Sequence, residues 1–160
     1  MKDVSSDLQR FAFERYQEPG VGSSCLEFQE AGFDVILVLY LVWCAEAGYV
    51  LTLDDVVAAD RRLSDWRRQV IEPLRSVRRL LKTADLLPGV SLGPYRDRIK
   101  TMEIEAETLA FESLASIDRR RSDPLRQSAE NYLRMYSAFL GRIAPEQALQ
   151  RICLQLPRPA

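Results

Sequence analysis

An all-α fold, an irregular single-domain bundle of about six to eight helices, follows from three features of this 160-residue chain. Helix start and stop signals recur along its whole length. No segment shows the sustained two-residue alternation of a half-buried strand. Residues 35–45, VILVLYLVWCA, form an unbroken apolar run closed by Asp34 and Glu46. Such a run is too long for an ordinary buried strand, and being apolar on nearly every side it predicts a central helix over about 34–47 with other helices wrapped around it.

The flanking elements follow in order. Ser6 followed by Gln9 is a capping-box pattern that opens a first helix reaching about Tyr16, before the Pro19-Gly20 break. Ser24 with Glu27 opens a second, short helix that stops at Gly32. Asp34 caps the central helix, and Gly48 closes it in the position that favours a left-handed backbone. Thr52 with Asp55 opens a fourth helix whose pattern continues to about Thr83. Pro73 lies inside that pattern, where a missing N–H and a ring clash predict a kink or break near Glu72.

Residues 85–93, DLLPGVSLG, read as the longest loop, and Pro94 is placed to begin a long helix ending near Asp118. Asp123-Pro124 repeats the cap-plus-proline signature for a helix ending at Gly141, and Pro145 starts a last short one containing Leu149, Ile152 and Cys153. The domain is expected to span 1–156, with residues 157–160 as a frayed tail.

Composition narrows the function classes. Hydrophobic content of 47% with 28% charged residues is that of a globular domain, and a net charge of −1 gives no global attraction to nucleic acid or anionic membrane. Residues 35–45 are too short to span a bilayer, which takes about 20 apolar residues. The first seven residues carry no apolar stretch of the secretory kind. Three well-separated cysteines, Cys25, Cys44 and Cys153, read as buried thiols in a reducing cytoplasm rather than a disulfide framework. With no histidine in the chain, imidazole-based triads and imidazole metal ligands are excluded.

The strongest candidate site is a basic helix face. Residues 61–82 carry eight Arg and Lys (Arg61, Arg62, Arg67, Arg68, Arg75, Arg78, Arg79 and Lys82) against only Asp65 and Glu72. Leu63, Trp66, Val70, Leu74, Val77 and Leu81 step by three and four and form the packing seam. Arg61, Arg68, Arg75 and Lys82, spaced by seven, fall opposite it and make one exposed stripe if Pro73 leaves the helix undisturbed. Such a face suits an acidic protein, a phosphate-bearing ligand or RNA. A solvated face partly neutralised by Glu103, Glu105, Glu107 and Glu112 of the following helix suits it better, since charge runs are usually solvated faces.

Other clusters carry less chemistry. The turn Pro19-Gly20-Val21-Gly22-Ser23-Ser24 could present backbone N–H groups to an anion but lacks the Lys and the preceding strand of a phosphate loop. Asp54, Asp55 and Asp60 lack the D-D-x-x-D spacing of a magnesium site, so no metal or cofactor is expected. Asp34 and Trp43 at the ends of the central helix, with Pro19 and Gly20, mark a candidate apolar pocket.

The N-terminal half resembles a known family. Leu8-x-x-Phe11-x-x-x-x-Tyr16-x-x-Pro19-Gly20-Val21, Cys25-Leu26-x-x-Gln29, Gly32-x-Asp34-Val35 and Trp43 are similar to an uncharacterised family of proteobacterial helical proteins, a domain of unknown function. Trp66-x-x-x-Val70-Ile71-x-Pro73-Leu74-Arg75-x-x-Arg78-Arg79-x-Leu81-Lys82 extends the resemblance, which covers about residues 8–82. Ile36 stands where that family has an asparagine, which argues against a polar pocket there. The resemblance implies a soluble bacterial helical protein and supplies no activity.

The leading expectation is therefore a small non-enzymatic interaction or regulatory protein whose Arg61–Lys82 face meets an acidic protein partner. The alternative is an enzyme or small-molecule binder with an apolar pocket beside the central helix. The third is weak RNA or other anion binding. A homodimer through the helices over 94–118 or 124–140 is compatible with their amphipathic spacing.

Overall fold

The computed structural model describes residues 4–122 and 128–154. Its elements are α1 (Val4–Gln17), α2 (Val21–Glu30), α3 (Val35–Glu46), β1 (Tyr49–Val50), α4 (Leu53–Trp66), a π-helical turn (Arg67–Ile71), α5 (Glu72–Thr83), α6 (Gly93–Ala115), β2 (Arg120–Arg121), α7 (Ala129–Leu140) and α8 (Glu146–Cys153). Because α4, the π turn and α5 run on without interruption, the described residues form seven helical tracks. The all-α class holds. The one departure is a two-residue antiparallel pairing of β1 with β2, Tyr49 opposite Arg121 and Val50 opposite Arg120. It is too short to show in the sequence as alternation.

The centre of the fold is α3. Ten consecutive residues, Ile36 to Ala45, are buried, so apolar side chains on every side of the helix find protein rather than water. Helices α1, α2, α4, α6 and α7 all pack on it, and one continuous apolar cluster results. Each large side chain fully buried there contributes about 1.5–3 kcal/mol. Asp34 caps α3 by accepting the Ile36 N–H, and Gly48 leaves the helix at φ 79°. Both were legible in the sequence. The Thr52–Asp55 capping box of α4 is also present in both directions.

Helix α2 begins earlier than its serine suggests. Gly20, in a left-handed conformation at φ 81°, precedes Val21, and the Ser24 hydroxyl donates back to the Gly20 carbonyl from within the helix. Near the C-terminus, Ser128 caps α7 by accepting the Asn131 N–H. The Asp123-Pro124 signature and the 157–160 tail lie outside the described residues.

The disturbance expected from Pro73 is found, and its form is a π turn. The Glu72 N–H reaches back to the Arg67 carbonyl, five residues away. A proline ring clashes with the carbonyl four residues before it, here that of Gln69, inside the widened turn. Opening that turn lets the track continue into α5 without a break.

Helix α5 differs from its neighbours. None of its residues is buried, and it packs on α6 and on the π turn. With the loop over 84–92 and the first half of α6, it forms a two-helix arm standing off the body.

Candidate functional site

The π turn decides how the basic face is displayed. An extra residue in one turn rotates everything after it by roughly 100° about the axis. Arg61, Arg68, Arg75 and Lys82 therefore do not form a single stripe. Arg61 and Arg68 are exposed before and within the turn, and Arg68 meets only the exposed Asp65 at 2.9 Å. Beyond the turn, Arg75 faces α6. Its Nε donates to Glu103 Oε1 and its Nη2 to Glu107 Oε1, each at 2.9 Å. Arg78 also donates to Glu103. Arg79 and Lys82 are exposed and have no ion-pair partner among the described residues.

The electrostatics of the shared carboxylates follow from their surroundings. Burial opposes the charge of Glu103, and hydrogen bonds from Arg78 and Arg75 overcome it, holding its carboxyl below the ordinary range. Glu107 moves the other way: burial raises it, and Arg75 compensates only in part. The six predicted cations thus divide. Arg75 and Arg78 hold the arm together, whereas Arg61, Arg68, Arg79 and Lys82 face solvent.

The residues predicted to line a pocket do not converge. Pro19 and Gly20 are exposed in the turn between α1 and α2. Asp34 and Trp43 stand at opposite ends of α3, roughly 13 Å apart at 1.5 Å per residue. Trp43 is buried against Tyr40 and Tyr49, with the Arg119 guanidinium 4.9 Å from its ring centre. The same guanidinium lies 4.9 Å from Tyr49 and 5.8 Å from Tyr40, and it donates to the Leu114 and Ala115 carbonyls. Arg119 therefore fills an aromatic box while closing the C-terminus of α6.

Asp34 belongs to a buried charge cluster that sequence reading did not assemble. Arg67 donates through Nε to Asp34 Oδ2 at 2.5 Å and through Nη2 to Asp60 Oδ1 at 2.9 Å. Tyr136 of α7 donates to Asp60 Oδ1 at 3.1 Å and accepts the Asp34 N–H at 3.4 Å. Burial works against the Arg67 charge, and the two carboxylates more than restore it, raising its pKa further above the usual arginine value. Burial likewise raises the Tyr136 hydroxyl, and the same carboxylates add to this. Each member is committed to another, so the cluster presents no free base. Only the odd position of Arg67, beside the apolar seam, could have signalled it.

Two cavities open elsewhere. One of about 270 Å³ lies at the C-terminal end of α3, lined by Glu46, Ser128, Glu130, Gln150 and Cys153 among others. The other, of about 180 Å³, is lined by Tyr40, Leu51, Asp55, Arg62 and Arg119 among others. Among the described residues no group of three or more His, Cys, Asp or Glu is placed to hold a metal ion. No helix among them is long and apolar enough to cross a membrane. The thiols are not activated: burial pushes Cys25 and Cys153 up to about 11 and Cys44 up to about 12.

Comparison with known families matches residues 7–114 to one described as a protein of unknown function, DUF2390. The chain belongs to the DUF2390 family. The DUF2390 match runs from α1 through nearly all of α6, so it contains the arm together with Asp34, Asp60 and Arg67. Tyr136 and Arg119 lie beyond it. No curated protein and no solved structure matches the chain.

Proposed function

We propose that this DUF2390 protein is a small non-enzymatic interaction or regulatory protein that engages an acidic protein partner through the exposed cations of the α4–α5 track. The observation that carries the reading is the state of Arg79 and Lys82. They project from α5, a helix with no buried residue, and have no ion-pair partner among the described residues. Arg61 and the weakly paired Arg68 extend the cationic surface on the other side of the π turn. Exposed cations of this kind accelerate encounter with a negative surface and fix its orientation, while adding little to the stability of the fold.

The buried charged side chains Asp34, Asp60 and Arg67 pair with one another and with Tyr136, which supports a structural role for that cluster. Three free cysteines fit a reducing, cytoplasmic setting.

The test is affinity capture with the wild type beside an Arg68→Glu/Arg79→Glu/Lys82→Glu variant, with and without nuclease. A defined acidic protein captured by the wild type and lost in the variant supports the reading. Retention of the same partner by the variant overturns it. Loss of capture on nuclease treatment assigns the surface to nucleic acid, whose affinity would also fall steeply with salt.

A further inference from the structure

The two faces of the α5–α6 arm differ in kind. The Arg75–Glu107 pair shows which flanks of the two helices adjoin on one side. On the opposite flank, helical spacing places Val77 and Leu80 of α5 on the same side as Tyr95 and Met102 of α6, and Leu109 continues that line along α6 toward the body. All five are 42–51% exposed. A two-helix arm has no third element to cover such a face, so these side chains remain in water.

The α6 part of the face has an internal symmetry. Tyr95 and Leu109 each lie seven residues from Met102, the repeat of an interhelical seam. Arg98 stands four residues before Met102 and Glu105 three residues after it. Neither Arg98 nor Glu105 has an ion-pair partner among the described residues, and at seven residues apart they are about 10 Å distant along their own helix. A second α6 laid antiparallel, with a two-fold axis at Met102, sets Tyr95 against its mate's Leu109 and Met102 against Met102. It also brings Arg98 to Glu105 of the other copy. The face is thus complementary to itself in both shape class and charge, as an isologous interface must be.

We infer that the apolar face of the α5–α6 arm is a homodimer interface, in which two α6 helices pack antiparallel about Met102 with reciprocal Arg98–Glu105 pairs and Val77 and Leu80 completing a four-helix bundle. The half-exposed apolar residues continue for about 21 Å along α6, from Tyr95 to Leu109. That is the extent of a helix seat, and the reciprocal placement of Arg98 and Glu105 is what commits the face to a second copy. Leu86, Leu87 and Val90 in the loop at the arm's tip are exposed as well.

Sedimentation velocity across micromolar to submillimolar protein tests this, with circular dichroism melts confirming that each variant is folded. Arg98→Glu and Glu105→Arg should each weaken the dimer by about tenfold or more, because each sets like charges together. The double variant Arg98→Glu/Glu105→Arg should return near the wild-type dissociation constant. Met102→Cys should give a covalent dimer under mild oxidation, since the native thiols are buried or half-buried. A wild type that stays monomeric throughout overturns the inference. So does a dimer indifferent to both single charge reversals. A monomeric wild type that binds phosphatidylglycerol vesicles, and loses them on Met102→Glu, gives the face to a lipid surface and also overturns it.

Discussion

Arg67 Nε and Asp34 Oδ2 lie 2.5 Å apart, and that one contact joins the π turn to the cap of the central helix. Through its other arm Arg67 holds Asp60, which Tyr136 also contacts, so α3, α4, the π turn and α7 meet at one charge cluster. Removing the cation would leave two largely buried carboxylates facing each other without compensation. Arg67→Met should therefore cost about 2–4 kcal/mol, allowing for the part of Arg67 that remains in solvent. Urea unfolding of the variant checks this, and a midpoint equal to the wild type would show that the pair contributes no net stability.

The Tyr132 hydroxyl performs a comparable role with neutral groups. It accepts the Leu51 N–H at 3.0 Å and donates to the Tyr49 carbonyl at 2.7 Å, both in the buried turn between α3 and α4. Tyr132→Phe would keep the ring and strand two backbone groups, a loss of about 1–3 kcal/mol. Thermal melts of the two proteins provide the comparison.

Arg119 combines a helix cap with an aromatic box. Its guanidinium satisfies the Leu114 and Ala115 carbonyls while lying on Trp43 and Tyr49. Arg119→Lys keeps the charge but loses the planar fork, so it should recover only part of the stability lost in Arg119→Ala. Near-ultraviolet circular dichroism, which reports the packing of Trp43, should change in both variants.

Acid should loosen the arm through Glu103. Its carboxyl lies below the ordinary value because Arg78 and Arg75 outweigh the effect of burial. A group depressed in the folded state contributes stability that is complete above the unfolded value, about 4.3 for Glu, and is lost as pH falls through the folded value. Protection of the α5 amides, the measured exchange rate set against the intrinsic rate at the same pH, should therefore fall as pH falls from about 5 toward 3, and this fall should be absent in Glu103→Gln.

The thiols should be inert until the protein unfolds. Cys25 and Cys44 are buried, and burial pushes all three cysteines to about 11–12, far from thiolate at neutral pH. Titration with a disulfide reagent should be slow in buffer, with Cys153 first, and complete in denaturant.

The elements of the fold were legible because their signals are local. The Asp34 cap, the Gly48 stop, the Thr52–Asp55 box and the apolar run over 35–45 each depend on residues within a few positions of one another. A backbone N–H or a missing Cβ responds to its immediate neighbours. The buried centre of the bundle was legible for the same reason: a helix apolar on all sides has nowhere stable except the interior.

The sites were legible only in part: neutralisation by Glu103 and Glu107 of the following helix was expected and is found, but which arginines take part depends on phase and on distant partners. Heptad spacing set Arg61, Arg68, Arg75 and Lys82 on one stripe, but the π turn before Pro73 changed the phase and sent Arg75 toward Glu103 and Glu107. Pairing Arg67 with Asp34, 33 positions earlier, and bringing Tyr136 onto Asp60, 76 positions earlier, required the chain to fold back on itself. The sequence by itself determined an all-α class, the central helix and most helix ends, since capping and hydrophobic burial act on short stretches of chain. Only the tertiary structure decided which arginines are neutralised and which face solvent, since a charge is defined by what lies within a few ångströms of it in space.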